Sequence, residues 1–182
     1  MPLTQVQGGM ILASGQSIPK AALPTGSVLQ VVQGTPKTDT FTTTSTTDVA
    51  ITGLSATITP TSATSKILVL VNIGASGTTS ADYGVFFSLY RSASLITGAV
   101  GNTAGSRKVC SSATRNIGIA NTQSSSIMYY DSPGSTSSLT YACYAAMESG
   151  GGSACINRTG NDSDISNLPR TVSTITLMEI AA

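Results

Sequence analysis

Hydrophobic and polar residues alternate along most of the chain, as they do in β-strands that bury one face. No segment keeps the 3.6-residue period of an amphipathic helix, and clusters of glycine, proline, serine and threonine separate the alternating segments. The pattern predicts eight to ten strands at intervals of roughly 10 to 15 residues. They are drawn from segments 27–35, 38–47, 49–59, 66–73, 82–91, 106–112, 115–121, 126–131, 139–148, 154–158 and 170–180.

Two of these segments, 66–73 and 170–180, are apolar on both faces, which is typical of strands covered on both sides. The two faces of the second segment carry different side chains: Val172, Met178 and Ile180 on one, Ile175 and Leu177 on the other. We expect one face to pack on the domain's own core and the other, in part, on neighbouring copies.

Short strands without helices or an internal repeat indicate an all-β fold. About eight antiparallel strands in two sheets form a jelly-roll-like β-sandwich, which we predict for residues 27–182. In residues 1–26, glycine and proline recur at short intervals, so we predict an extended N-terminal arm there. Within it, Met10, Ile11 and Leu12 are the candidate docking anchor; the alternative is a frayed terminus.

A hairpin is predicted from segments 126–131 and 139–148, joined by a turn at Ser132-Pro133-Gly134-Ser135. Four tyrosines cluster around it, and alternation directs two of them outward, which makes Tyr130 and Tyr144 candidate binding residues. Exposed tyrosines contact sugar rings and protein partners alike. The alternative is that they cap a sheet edge and bind nothing.

Composition favours an ordered protein with little surface charge. Charged residues make up 9% of the chain, while the polar character comes from 27 serines and 27 threonines. A disordered chain combines low hydrophobicity with high net charge, whereas the formal net charge here is +1. The nine Lys and Arg residues are scattered, so nucleic acid is not an expected partner. Solubility then depends on hydroxyl groups or on assembly that hides part of the surface.

Most catalytic chemistry is excluded because the chain has no histidine. Ser-His-Asp and Cys-His sites cannot be built, and zinc would lack its usual ligands. Glycoside cleavage needs only two carboxylates, and Asp131 and Glu148, at the ends of the predicted hairpin, are the candidate pair. The alternative is that both are solvated acids. We expect a protein that is not an enzyme and holds no cofactor.

Metal and thiol chemistry are weakly supported. Asn161-Asp162-Ser163-Asp164 offers alternate oxygen ligands, as part of a calcium loop does, but lacks the glycine and the distal glutamate of such loops. Two interpretations stay open: Asp162 and Asp164 hold an ion, or they belong to a solvated turn. The three cysteines are predicted to be free buried thiols, with one bond between Cys143 and Cys155 as the alternative.

Targeting signals are not evident in the sequence. The N-terminal residues lack a basic region followed by an apolar run, and no apolar run approaches the roughly 18 residues of a membrane-spanning helix. We expect synthesis in the cytoplasm without insertion into a membrane.

Four stretches, GSVLQVVQGT, ITGLSATITPTSATSKILVLVNI, YYDSPGSTSSLTYA and STITLMEI, together resemble a module of tail-fibre and other virion proteins of tailed bacteriophages, especially phages of cyanobacteria. The resemblance covers roughly residues 26–182. It implies a compact β-sandwich, similar to tumour-necrosis-factor or C1q heads, that assembles as a homotrimer on the virion surface. In such heads a C-terminal strand lies near the threefold axis, which makes Ile175 and Leu177 the candidate trimer interface.

The resemblance implies a virion structural protein attached through its arm, with Met10, Ile11 and Leu12 as virion anchor and Tyr130 and Tyr144 as candidate receptor contacts on a host-surface glycan or protein. The expected role is a short tail fibre for host attachment, bound through its arm to a tail adaptor or baseplate. Tail fibres usually have long shafts, however, so the alternative is a capsid decoration protein that binds the major capsid protein. An alternative of another class is a virion-associated glycan-degrading enzyme.

Overall fold

A computed structural model describes residues 23–182 of the chain. The predicted anchor residues Met10, Ile11 and Leu12 lie outside the described residues, as does most of the predicted arm. From Leu23 onward the chain enters the domain directly: the Gly26 amide donates to the Ala181 carbonyl at 2.8 Å, and the Ala181 amide donates to the Ser27 carbonyl at 2.9 Å.

Eleven strands and one short 3-10 turn make up the regular structure of residues 23–182. No helix of this part of the chain is long and apolar enough to cross a bilayer. The strands are β1 Val28–Gln33, β2 Phe41–Thr43, β3 Val49–Ile58, β4 Lys66–Thr78, β5 Tyr83–Arg91, β6 Ser94–Leu95, β7 Ser112–Asn116, β8 Gln123–Asp131, β9 Leu139–Met147, β10 Ala154–Ile156 and β11 Thr174–Ile180; the 3-10 turn is Thr97–Ala99.

The strands form two antiparallel sheets that pack face to face. In the first sheet β1, β11, β4 and β8 lie side by side, and β10 with β2 continues along the β11 side of β4. In the second sheet β3, β9 and β5 lie side by side, and β6 and β7 pair with different parts of β5. The predicted all-β sandwich is confirmed.

Four of the ladders pair the eight main strands in a nested order. The first strand pairs with the last, β1 with β11, and the next pairs inward are β3 with β9, β4 with β8 and β5 with β7. The predicted hairpin between β8 and β9 is therefore wrong, because β8 pairs with β4 in the first sheet while β9 lies between β3 and β5 in the second. Residues 132–138 connect the two sheets rather than two neighbouring strands.

Alternate side chains of the main strands fill the space between the sheets. β4 contributes four aliphatic residues, β5 contributes Phe87 and Leu89, and β9 contributes Tyr141 and Cys143, all buried. Burying apolar surface supplies the main stabilisation of such a core, at about 25 cal/mol per Å². β11 adds Ile175 and Leu177, whose side chains are fully buried among these residues.

The prediction that Ile175 and Leu177 contact other copies is therefore corrected. Their side chains point into the core of their own copy, and a side chain with no exposed surface has none left for a neighbour. The opposite face of β11, which carries Thr176 and Met178, is the face that is partly open to solvent.

Glu179 shares the inner face of β11 with these two residues and is also completely buried. No Lys or Arg pairs with it within the described residues. Its Oε1 accepts hydrogen bonds from the amide and hydroxyl of Thr61 at 2.6 and 2.7 Å, and its Oε2 accepts one from Gln30 Nε2 at 2.6 Å. Burial by itself raises the pKa of the Glu179 carboxyl, but hydrogen bonds from Thr61 and Gln30 contribute to a net lowering.

Glu179→Gln is expected to lower the free energy of unfolding by about 2 kcal/mol at pH 7, because hydrogen bonds to a charged acceptor are lost. A carboxyl whose pKa is lower in the folded state stabilises the protein above its unfolded pKa, here near 4.5, and loses that effect as the pH falls through the folded pKa. The difference between the two proteins should therefore shrink from pH 7 to pH 3. Urea unfolding at both pH values measures it, and an unchanged difference would contradict the assignment.

Candidate functional site

The outer face of the first sheet carries an apolar row that crosses all four strands. Register places Val31 of β1 opposite Met178 of β11, Met178 opposite Leu68 of β4, and Leu68 opposite Tyr130 of β8. Val31 is 56% exposed and Tyr130 52%, while the two residues between them are half-buried by their neighbours. A continuous apolar band thus runs from one edge of the sheet to the other.

A second row lies directly beside it, with Gln33, Thr176, Leu70 and Met128 in register. Met128 is 75% exposed. A shallow depression of about 390 Å³ opens on this face, lined in part by Leu70, Met128 and Thr176. We call the six residues Val31, Leu68, Leu70, Met128, Tyr130 and Met178 the apolar face.

The two rows of the apolar face contain no charged residue. In the adjoining row, Ile180 and the 50% exposed Val28 extend the apolar surface as far as Lys66, whose Nζ donates to Ser132 Oγ at 2.9 Å. Beyond the second row, in the other direction, the aligned residues Asn72, Thr174 and Ser126 are polar. Contiguous exposed apolar residues bounded by polar ones are typical of protein–protein contact surfaces. Sequence analysis missed Leu68, Leu70 and Met128, although both-sided apolarity of β4 was visible in the pattern.

The outer face of the second sheet carries a pair of stacked tyrosines. The rings of Tyr90 on β5 and Tyr144 on β9 lie with centroids 3.8 Å apart and planes inclined by 19°. The Tyr90 hydroxyl donates to Asp48 Oδ2 at 3.0 Å, and Lys108 Nζ lies 2.6 Å from Asp48 Oδ1. Burial, followed by the hydrogen bond to Asp48, raises the pKa of Tyr90 to about 12, so the phenol stays protonated.

The two predicted receptor contacts, Tyr130 and Tyr144, are not brought together. Tyr130 belongs to the apolar face of the first sheet, whereas Tyr144 points outward from the second sheet, on the other side of the sandwich. Since these tyrosines were grouped on the basis of a hairpin that does not form, one site cannot contain both.

The candidate carboxylate pair is likewise separated. Asp131 is buried and accepts hydrogen bonds from Arg91 Nη1 at 2.6 Å and from the Tyr141 hydroxyl at 2.7 Å. Glu148 pairs instead with Arg115 Nη1 at 2.7 Å and with the Gly84 amide at 2.8 Å. Their partners on β5, Arg91 and Gly84, are seven residues apart in one strand, which spans about 23 Å.

That separation exceeds the carboxylate spacing of glycosidases, which is about 5 to 9.5 Å. The proposed catalytic pair of Asp131 and Glu148 is therefore wrong. The hydrogen bond from Arg115 chiefly holds the pKa of the Glu148 carboxyl below its usual value, which leaves it ionised and poorly suited to act as an acid.

Asn161 and Asp162 of the Asn161–Asp164 loop already have partners within the protein. Asn161 Oδ1 accepts hydrogen bonds from the amide and hydroxyl of Ser163 at 3.1 and 2.8 Å, as in an Asx turn. Asp162 forms an ion pair with Arg170. No group of three or more His, Cys, Asp or Glu residues that could hold a metal ion occurs among residues 23–182.

All three cysteines lie in the described part of the chain and carry free thiols. Cys143 is on β9 of the second sheet and Cys155 on β10 of the first, so the two do not lie on adjacent strands of one sheet. Burial is the main reason that the pKa of Cys143 rises to about 12, which leaves its thiol protonated and unreactive.

A scan of the chain against protein-family models and a search among curated proteins found no match. The apolar face and the tyrosine pair are therefore the two features from which a function can be argued.

Proposed function

We propose that the chain is a structural protein of a tailed-phage virion, a homotrimer whose copies meet through the apolar face and which serves as a short tail fibre in host attachment. The observation that carries the proposal is the uncharged apolar face, with Met128, Val31 and Tyr130 more than half exposed in a single copy. Together with the sequence resemblance to virion modules, it favours a protein that works through contacts between copies.

A finer description of the fold supports the same proposal. The nested order, in which the first of eight strands pairs with the eighth and the second with the seventh, fits a jelly roll. Jelly rolls occur in viral capsid and lectin domains, and their two packed sheets are one way of limiting free strand edges. In this fold the outer face of the first sheet points away from the core, and it carries the apolar rows that would pack against other copies.

Solution chemistry also favours association. With only 9% charged residues, the chain has few groups to keep an exposed apolar face in water. A stable interface typically buries about 800 Å² per partner, so neighbouring parts of the first sheet would have to join the apolar face in the contact. In a threefold ring each contact is heterologous, so the Val31 edge of one copy would meet the Tyr130 edge of the next.

Met128→Asp is expected to convert the oligomer to monomers, because burying an unpaired charge at a contact costs several kcal/mol. Sedimentation equilibrium should give about three times the 18.4 kDa chain mass for the unmodified protein and one chain mass for the variant. Ile117→Asp is the matched control: Ile117 is 74% exposed and Met128 75%, but Ile117 lies outside the apolar face. A monomeric unmodified protein, or a trimeric Met128→Asp variant, would refute the proposed assembly.

The virion assignment is tested on purified particles by immunogold imaging and quantitative mass spectrometry. A few trimers at the tail support a tail fibre. Hundreds of copies over the head would replace the tail-fibre role with capsid decoration, and absence from particles would overturn the virion assignment altogether.

A further inference from the structure

The tyrosine pair has alanine neighbours on one side and a larger apolar neighbour on the other. On the outer face of the second sheet, Tyr144 lies opposite Ala50 of β3, and Tyr90 lies between Ala142 of β9 and Leu95 of β6. Both rings are only half-buried, so part of each aromatic surface faces solvent. The two rings therefore project above the alanine side chains of β3 and β9.

Polar groups with fixed positions border this projection. The Asp48 carboxylate is held between the Tyr90 hydroxyl and the Lys108 ammonium, and its side chain is 10% exposed. Because one acid and one base pair with each other there, the border offers hydrogen-bonding groups without a net charge. A neutral ligand with many hydroxyl groups fits such a border better than an ionic one.

A buried hydroxyl next to the pair lacks a partner. Ser88 lies directly opposite Tyr144 in the ladder and points to the same face; it is 1% exposed, and its Oγ has no hydrogen-bond partner within the described residues. A buried polar group without a partner is costly, and a ligand hydroxyl that reached Ser88 Oγ would supply the missing hydrogen bond.

We propose that Tyr90, Tyr144, Asp48 and Ser88 form a binding site for a neutral sugar of a surface polysaccharide. The aliphatic C–H face of a hexose packs on the electron-rich ring face, while its hydroxyl groups bond to the polar border. The proposal rests on the proposed host-attachment function, in which the apolar face is covered by neighbouring copies and the second sheet faces outward. It leaves Tyr130 within the contact between copies.

Binding is measured with the full-length protein on an array of neutral oligosaccharides of glucose, galactose and mannose, followed by calorimetry with the best binder. Tyr144→Ala is expected to weaken binding about tenfold through loss of the aromatic contact. Tyr144→Phe, which keeps the ring, should bind like the unmodified protein. Thr57→Ala, an exposed position on the same face, is a further control.

Two results would overturn the site: no binding of the unmodified protein to any oligosaccharide of the array, or equal binding by the unmodified protein and Tyr144→Ala. Neither result would bear on the virion assignment or on the proposed assembly, which the particle-location and sedimentation experiments test separately. Conversely, a protein absent from particles that still loses sugar binding on Tyr144→Ala would refute the virion assignment while supporting the sugar site.

Discussion

Replacement of Leu177 by aspartate is expected to prevent the sandwich from folding. Leu177 is fully buried between the sheets, on a strand that is paired on both sides, by β1 and by β4. A carboxylate there loses the apolar contacts of leucine and gains no partner. A typical domain is stabilised by only about 5 to 15 kcal/mol in total, and burying an unpaired charge uses up a large part of it. Circular dichroism and gel filtration should show a loss of cooperative unfolding and aggregated protein.

The neighbouring position provides the matched control. Thr176→Asp places the same charge one residue away on the outer face of β11, beside Leu70. This variant should retain the cooperative unfolding transition but lose self-association. A folded Leu177→Asp protein would mean that the two faces of β11 have been assigned the wrong way round.

Asp131→Asn is the second large effect we expect, a loss of about 3 kcal/mol in the free energy of unfolding. Asp131 is only 4% exposed, and its carboxylate on β8 of the first sheet binds Arg91 and Tyr141, which lie opposite each other on β5 and β9 of the second sheet. Burial and then the adjacent carboxylate raise the pKa of Tyr141, so its hydroxyl remains a donor. The neutral amide leaves the Arg91 guanidinium without its counter-charge in a partly buried site.

Chemical unfolding monitored by tyrosine fluorescence measures this loss. Asp162→Asn removes a comparable pair with Arg170, but both of those side chains are about half exposed, so the expected change is below about 1 kcal/mol. If both substitutions lowered the free energy of unfolding equally, burial would not make the Asp131–Arg91 pair more stabilising than the exposed Asp162–Arg170 pair.

Alternation along the sequence was sufficient to predict most strands, because each main strand has one face in a single continuous core. β5 and β9 match the predicted segments to within one residue at each end, whereas β4 extends to Thr78, five residues beyond its predicted end. The apolarity of β4 on both faces corresponds to its central place in the first sheet. The predicted strand at 106–112 was wrong: most of this segment is a loop with exposed residues, and only its last residue begins β7.

The turn between β5 and β6 was missed for a specific reason. Ser92 and Ala93 both have positive φ, 48° and 63°, as the central residues of a two-residue hairpin with a primed turn do. Asn-Gly and Asp-Gly are the sequences that usually mark such a turn, and Ser-Ala gives no such signal.

The orientation of β11 could not be inferred from its own residues. Glu179 shares a face with Ile175 and Leu177, and a carboxylate ordinarily marks the solvent side of a strand. Residues distant in the sequence determine which face of β11 is buried, because the amide of Thr61 and the side chain of Gln30 donate hydrogen bonds to the Glu179 carboxylate inside the domain. The same limit applies to Tyr130 and Tyr144, whose separation depends on the connection that carries the chain from one sheet to the other.

The position of β11 between β1 and β4 also sets the order of events during translation. β1 and β4 lie far apart in the chain from their common neighbour, so the first sheet cannot close until the ribosome has released the chain through Ile180. Until then a nascent chain displays two unpaired strand edges beside an exposed apolar core, a state prone to aggregation. Folding dominated by such distant pairings is slow, which prolongs the time for which these edges stay exposed.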